Sequence, residues 1–427
     1  MLELSLLIFG AAVLAGIGVG AIAGLLPGVH VNNTSAILLG LTPALVASGI
    51  PALYVAVMIV ASTISQSFLD IVPSIFLGAP DEATALAVLP GHRMLLEGRG
   101  VEAVRLSAMG SGLAIGVSLL LMAPLSFFFK ALNGPIQDHM GLILLAISAL
   151  VILSNRGSGP YAGAGDRLKA IAWAAAIYLT CGILGVVAFS AEGLLVPLAR
   201  IAEPQMLLPL LSGLFGAPTL LLSLGAMPAM PPQHKSTLSL PPGNVLKSAI
   251  AGTAAGALVS WFPAVSTGVA TTITGMLSKK SEADDRKYIV SISGVNTANA
   301  VFSLVALYVI GHPRSGAVAA AQSALGSIDF QVFILLALAM CLAGALTYPV
   351  TVLAGSVAAG IFEKVNYRLL NASVLLFLTA MCLAMTGFLG LAVFVLSAMI
   401  GLAPHLVNVR KTCLMGVLLL PCISYFI

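Results

Sequence analysis

The chain has 427 residues, 59% hydrophobic and 8% charged, with a formal net charge of +4. A soluble domain carries about 25% charged residues, so this composition excludes one and predicts an all-α polytopic membrane protein bathed in membrane lipid. The positive charges sit in short loops without interleaved aromatics, which excludes nucleic acid as a partner.

The first apolar run, from Leu4, has no Lys or Arg ahead of it. It lacks the charged opening of a signal peptide and reads as the first membrane helix. Its Gly16, Gly20 and Gly24, spaced by four, form a small-residue face for close helix packing. The run then breaks at Pro27-Gly28 and continues through His30, Asn32, Asn33, Thr34 and Ser35. Irregular polar backbone survives in a bilayer only where protein or a water-filled cavity surrounds it.

Further along come a polar patch, Ser62 to Ser67 with Gln66 inside it, then Asp70, then Gly78-x-Pro80 followed by Asp81 and Glu82. Two basic loops follow, one with Arg93, Arg99 and Arg105, the other from Asn155 to Lys169. A proline-rich connector from Ala226 to Asn244 opens the second half.

There the pattern repeats. Gly20 to Leu41 aligns without a gap on Gly256 to Leu277, with Pro27 on Pro263 and with Ser266, Thr267, Thr271 and Thr272 after the proline. A second polar patch, Asn296 to Asn299, precedes Gly311-x-Pro313, which leads into Arg314 and Ser315. Loop charge swaps between the halves. The connector Pro43 to Pro51 is uncharged, whereas its counterpart carries Lys279, Lys280, Arg286 and Lys287.

By the positive-inside rule, equivalent loops then face opposite sides, the signature of two inverted-topology repeats. The expected division is 1–155 for the first repeat, 156–245 for connecting loop, helices and connector, and 246–427 for the second repeat and C-terminal helices. Each break is a discontinuous helix or a re-entrant hairpin. At about 20 residues per span the apolar length allows roughly ten to twelve membrane segments.

Discontinuous helices at matching places in inverted halves point to a transport site near the midplane. The expected substrate-binding residues are Pro27, Gly28, Asn32, Asn33, Thr34, Ser35, Gln66, Pro263, Ser266, Thr267, Asn296, Asn299, Pro313, Arg314 and Ser315. Free amides at the breaks suit an anion, and an arginine fork suits a carboxylate. Asp70, Asp81 and Glu82 are candidates for ion coupling or for a gate, since intramembrane acids are rare and paired. Against these stands helix-to-helix glue for the hydroxyls and amides, and a salt bridge between Arg314 and the acidic tip.

His30 and His312 lack metal-ligand spacing, and His92 lies in a basic loop, so no metal or other cofactor is expected beyond Na⁺ as a coupling ion. Five cysteines in apolar segments without a C-x-x-C pair read as core filler. The reading is a secondary active transporter of a small, anionic solute. The alternatives are an intramembrane enzyme using Asp70, Asp81 or His30, and a gated channel.

The glycine-rich helix running into Pro27-Gly28, the block from Gly78 to Ala114, and "GHPRSGAVAAAQSAL" after "SGVNTANAV" together resemble the large membrane subunit of tripartite tricarboxylate transporters, the TctA family, in its shorter, archaeal-type form. The resemblance implies carboxylate uptake across the cytoplasmic membrane by Na⁺ or proton symport, with an elevator-like motion. It also implies a small membrane subunit and an extracytoplasmic binding protein as partners; a homodimer is the expectation from large elevator scaffolds. Arg314 stands where the family has glycine, and Asp81-Glu82 where bacterial members are uncharged, which implies a substrate other than citrate or a paired gate.

Overall fold

The computed structural model describes residues 5–26, 29, 31–77, 88–155, 164–199, 204–225, 231–234, 240–261, 282–362 and 367–427. Among them the chain forms helices and no strand. Seven of these helices are long and apolar enough to cross a membrane, and shorter apolar helices such as Met140–Leu153 and Lys411–Phe426 accompany them. Large side chains such as Phe127, Leu142, Trp173, Ile183 and Leu353 lie exposed on the outside. In water such a surface would aggregate; around a membrane protein it is the face that lipid covers.

Helices α1 (Leu6–Leu25), α2 (Val31–Ala47) and α3 (Ala52–Leu69) form the first unit. A Cβ at Gly16 would lie 2.6 Å from Met58 O, one at Gly20 would overlap Ser62, and one at Gly24 would lie 3.1 Å from Gln66 O. The contacts advance in the same direction on both helices, so α1 and α3 run parallel, and α2 returns along α3. Helices α1 and α2 thus form a helical hairpin lying against α3.

The chain continues through α4 (Ile71–Phe76), α5 (Val88–Leu96) and the long α6 (Gly100–Asp138). The second half repeats the pattern with α11 (Pro242–Val259) and α12 (Glu282–Ile310). Gly252 meets Ser291, and a Cβ at Gly256 would lie 2.6 Å from Val295 O. Met58 and Ser291, like Ser62 and Val295, stand as far apart in sequence as Gly78 and Gly311. The two glycine crossings thus have like contacts at matching sequence spacing.

Then come α13 (Gly316–Leu325) and α14 (Phe330–Phe362). Each half packs on the other in matching ways: α3 against α14 and α12 against α6.

A second group consists of α7 (Met140–Leu153), α8 (Ala164–Ser190), the broken helix α9–α10 (Leu207–Leu211, Ala217–Gly225, with a π-turn between), α15 (Tyr367–Leu406) and α16 (Gly416–Phe426, led by a 3₁₀ turn from Lys411). α15 is two helices meeting at Gly387, whose φ of +71° suits glycine and whose missing Cβ lets Val196 O approach. Matching contacts recur: Gly185 meets Val417 while Gly401 meets Leu214, and Gly416 meets Tyr178 while Gly213 meets Phe394.

The basic loops gather at one end of the molecule. Arg93 Nη1 pairs with Asp285 Oδ2 at 2.6 Å, and the buried Glu102 takes Arg99 at 2.6 Å and Arg286 at 3.6 Å. At the opposite end Ile50, in the uncharged turn after α2, and Leu325 and Ile328 all pack against one apolar cluster. Ser5 N donates to the Tyr54 hydroxyl at 3.0 Å there.

Candidate functional site

α3 with α4, and α12, are the most enclosed of the long helices, with 94% and 89% of their apolar windows buried. Both carry the polar patches, and burial without a partner costs several kcal/mol per group. The partners are mutual. Ser67 Oγ and Thr297 Oγ1 stand 3.3 Å apart, and Asn296 Nδ2 donates to Asp70 Oδ2 at 3.0 Å and to Ser67 O at 3.5 Å. Asp70 is 5% exposed and sits at the joint of α3 and α4, where Ser74 Oγ donates to its carbonyl at 2.7 Å. The Asp70 carboxylate thus lies between the two halves, where α3 crosses α12.

One turn away, Gln66 bridges to the hairpin. Its Nε2 donates to Val29 O at 2.6 Å, and Thr34 Oγ1 donates to its Oε1 at 3.3 Å. Gln66 therefore holds the turn in place from α3. Ser35 is fully buried and directs its hydroxyl to Val31 O of its own helix at 2.8 Å, as membrane serines often do.

The amino ends of α2 and α13 meet. A Cβ at Gly316 would lie 2.5 Å from Asn32 Oδ1, so only glycine lets the Asn32 side chain lie on the first turn of α13. Ser315 caps that turn, its Oγ accepting from Val318 N at 3.4 Å. Just before it, Arg314 is half-buried, and its Nε and Nη2 are buried without a hydrogen-bond partner. Two helix amino ends and a guanidinium with free donors concentrate positive potential. An anion fits such a place.

A cavity of about 790 Å³ opens beside this junction, lined by Asn32, Gly316 and Ser323 and, across from them, Phe189, Glu192 and Gln205. That volume suits a small organic solute. It lies between the hairpin unit and the second helical group.

Of the expected residues, the structure thus brings Asn32, Thr34, Gln66, Asp70, Asn296, Arg314 and Ser315 to two neighbouring clusters joined by α3. Ser35 lies buried on the same helix as Asn32. Asn299 is half-buried on α12 beside Gly256, and Pro313 is exposed just ahead of Arg314. Pro27, Gly28, His30, Asp81, Glu82, Pro263, Ser266 and Thr267 lie outside the described residues, as does the Asn33 side chain. Among the described residues no group of His, Cys, Asp and Glu could hold a metal ion. The five cysteines are free.

Sequence reasoning missed Thr297, Ser67 and Gly316 as individual contributors. The first two were visible only as members of polar patches, since which patch residue faces its counterpart depends on the crossing angle. Gly316 carried no signal of its own beyond following a cap serine.

No solved structure matches this chain. An uncharacterized protein of Methanocaldococcus jannaschii is 28% identical over 426 residues, covering 96% of this chain and 97% of the relative. The family model for the tripartite tricarboxylate transporter TctA family matches residues 11–416, and the chain belongs to that family.

Proposed function

We propose that this multi-pass member of a transporter family, not an enzyme family, moves a small carboxylate across the cytoplasmic membrane by Na⁺ or proton symport. The solute binds where the amino ends of α2 and α13 meet. One observation carries the site: Asn32 lies on the first turn of α13 beside Arg314, whose buried Nε and Nη2 have no protein partner. The guanidinium takes one carboxylate oxygen pair in a fork, and the first-turn amides and Asn32 take the rest.

Asp70, buried on the crossing of the two halves, takes the coupling cation or proton. The solute arrives through the cavity beside Glu192 and Gln205. A small membrane subunit and an extracytoplasmic binding protein complete the assembly, as the tripartite character of the family suggests.

The matching glycine crossings, and the end-to-end segregation of the basic loops, support two inverted repeats. On the second helical group's matching contacts we extend the first repeat to Gly225, with 226–241 as the connector. The hairpin unit then travels against the second group, an elevator motion.

The test is uptake of a radiolabelled carboxylate panel into proteoliposomes. Hydrogen bonds to charged groups contribute about 1.5–3 kcal/mol, so Arg314→Gln should raise the apparent KM roughly 10- to 100-fold at about 1.4 kcal/mol per decade. Wild-type kinetics in that variant would sink the site. Chemical conversion of the solute in detergent would favour an enzyme instead.

A further inference from the structure

At the basic end of the molecule the chain leaves α15, passes Asn408, and enters the C-terminal helix at Lys411. Lys411 is 9% exposed, and its Nζ donates to Thr219 Oγ1 of α10 at 3.2 Å. Among the described residues no carboxylate forms an ion pair with it. Next in sequence, Thr412 is 4% exposed and its buried Oγ1 has no partner. His405, in the last turn of α15, has a buried Nε2 without a partner. His405 and His92 are close enough for the charge of Lys411 to act on them.

Burying an ammonium against a single hydroxyl is costly unless a counter-charge joins it. The matching helix start in the first half shows what is missing. There Met206 N, at the entry to α9, donates to the Glu192 carboxylate at 2.9 Å, a negative group at a positive helix end. Here Arg410 N donates to the neutral Asn155 Oδ1, also at 2.9 Å. The first half supplies its own anion, and the second offers a lysine with no carboxylate paired to it among the described residues.

We propose that Lys411, Thr412 and the amino end of the C-terminal helix bind a small anion, a carboxylate or an inorganic oxyanion or halide, at a site separate from Arg314. If the anion is the cargo, the site is a stop on its route and rests on the transport reading. If it is an inorganic ion, the site stands without that reading and holds α10, α15 and the C-terminal helix together.

The experiment is the Tm of the purified full chain in detergent, at fixed Na⁺, against citrate, phosphate and chloride. A ligand bound only by the folded state raises stability with its concentration. The expected result is a rise in wild type that persists in Arg314→Gln and is retained in Lys411→Arg; in Lys411→Met it disappears for phosphate and chloride and shrinks for citrate, which the intact Arg314 site also holds. A rise with citrate alone identifies a carboxylate, and a rise with phosphate or chloride identifies an inorganic anion.

An equal rise in Lys411→Met and wild type, or no rise with any anion in Arg314→Gln, overturns the proposal. Should Lys411→Met fail to fold, Thr412→Val decides: a weakened rise supports the site, and an unchanged one removes it. A rise lost in Arg314→Gln but kept in Lys411→Met fails this site and leaves the transport site standing. The expected pattern leaves the transport site standing, since the uptake kinetics of Arg314→Gln test that site separately.

Discussion

Asp70 separates the two halves at the level of single residues. The spacing that relates Gly78 to Gly311 pairs Gln66 with Asn299, both amides, but pairs Asp70 with Ser303. A structural carboxylate of a symmetric scaffold would be expected twice, whereas a coupling site needs one titratable or cation-binding group. Asp70→Asn keeps an oxygen to accept from Asn296 Nδ2 and removes only the charge. The variant should fold with a Tm near wild type and still bind solute, while uptake loses its response to a Na⁺ or proton gradient and falls to equilibration. Gradient-driven accumulation at the wild-type level would exclude Asp70 from coupling. A lone acid in an apolar run was legible from sequence; its bond to Asn296 was not, because the two residues are joined only by the way α3 crosses α12.

Among the elements, the glycine stripe of α1 was the most legible feature. Gly20 leaves no room for a Cβ against Ser62, whereas Gly18, on the same helix, would place its Cβ in open space. Membrane helices gain little from hydrophobic association, so close backbone approach does much of the holding. Gly20→Val should therefore destabilise by about 1–3 kcal/mol, the usual range for overpacking, and Gly18→Val should leave the Tm unchanged. Equal Tm values for the two variants would mean that α1 does not hold α3 in this way. The same logic bears on 156–245, expected as connecting loop, helices and proline-rich connector, because its crossings depend on single small residues that leave no pattern in the sequence. Its α8 and α9–α10 make the crossings that α15 and α16 repeat, through Gly185 with Val417 and Gly401 with Leu214. Such a crossing needs only a small residue at one point, so contact geometry outlasts any sequence identity that an alignment could detect.

The whole molecule has a basic end, where Arg93 meets Asp285 and Glu102 gathers Arg99 and Arg286, and an opposite end, named uncharged for its turn after α2, where Asp329 at the start of α14 is the exposed exception. Two halves of like topology lying side by side would mix their basic loops between both ends. Here the loop after α5 of one half and the loop before α12 of the other, which are not equivalent in the repeat, share an end. The proposed inversion requires this, and on that proposal retention of basic loops in the cytoplasm would fix the direction. In a cysteine-free background, Ser48→Cys and Ser327→Cys, both exposed at the uncharged end, should react with a membrane-impermeant maleimide on intact cells. Glu97→Cys, exposed at the basic end, should react only after permeabilisation. Labelling of all three from outside would place both ends on one side and end the inverted reading. Labelling of Glu97→Cys alone from outside would keep the inversion and turn the protein over in the membrane.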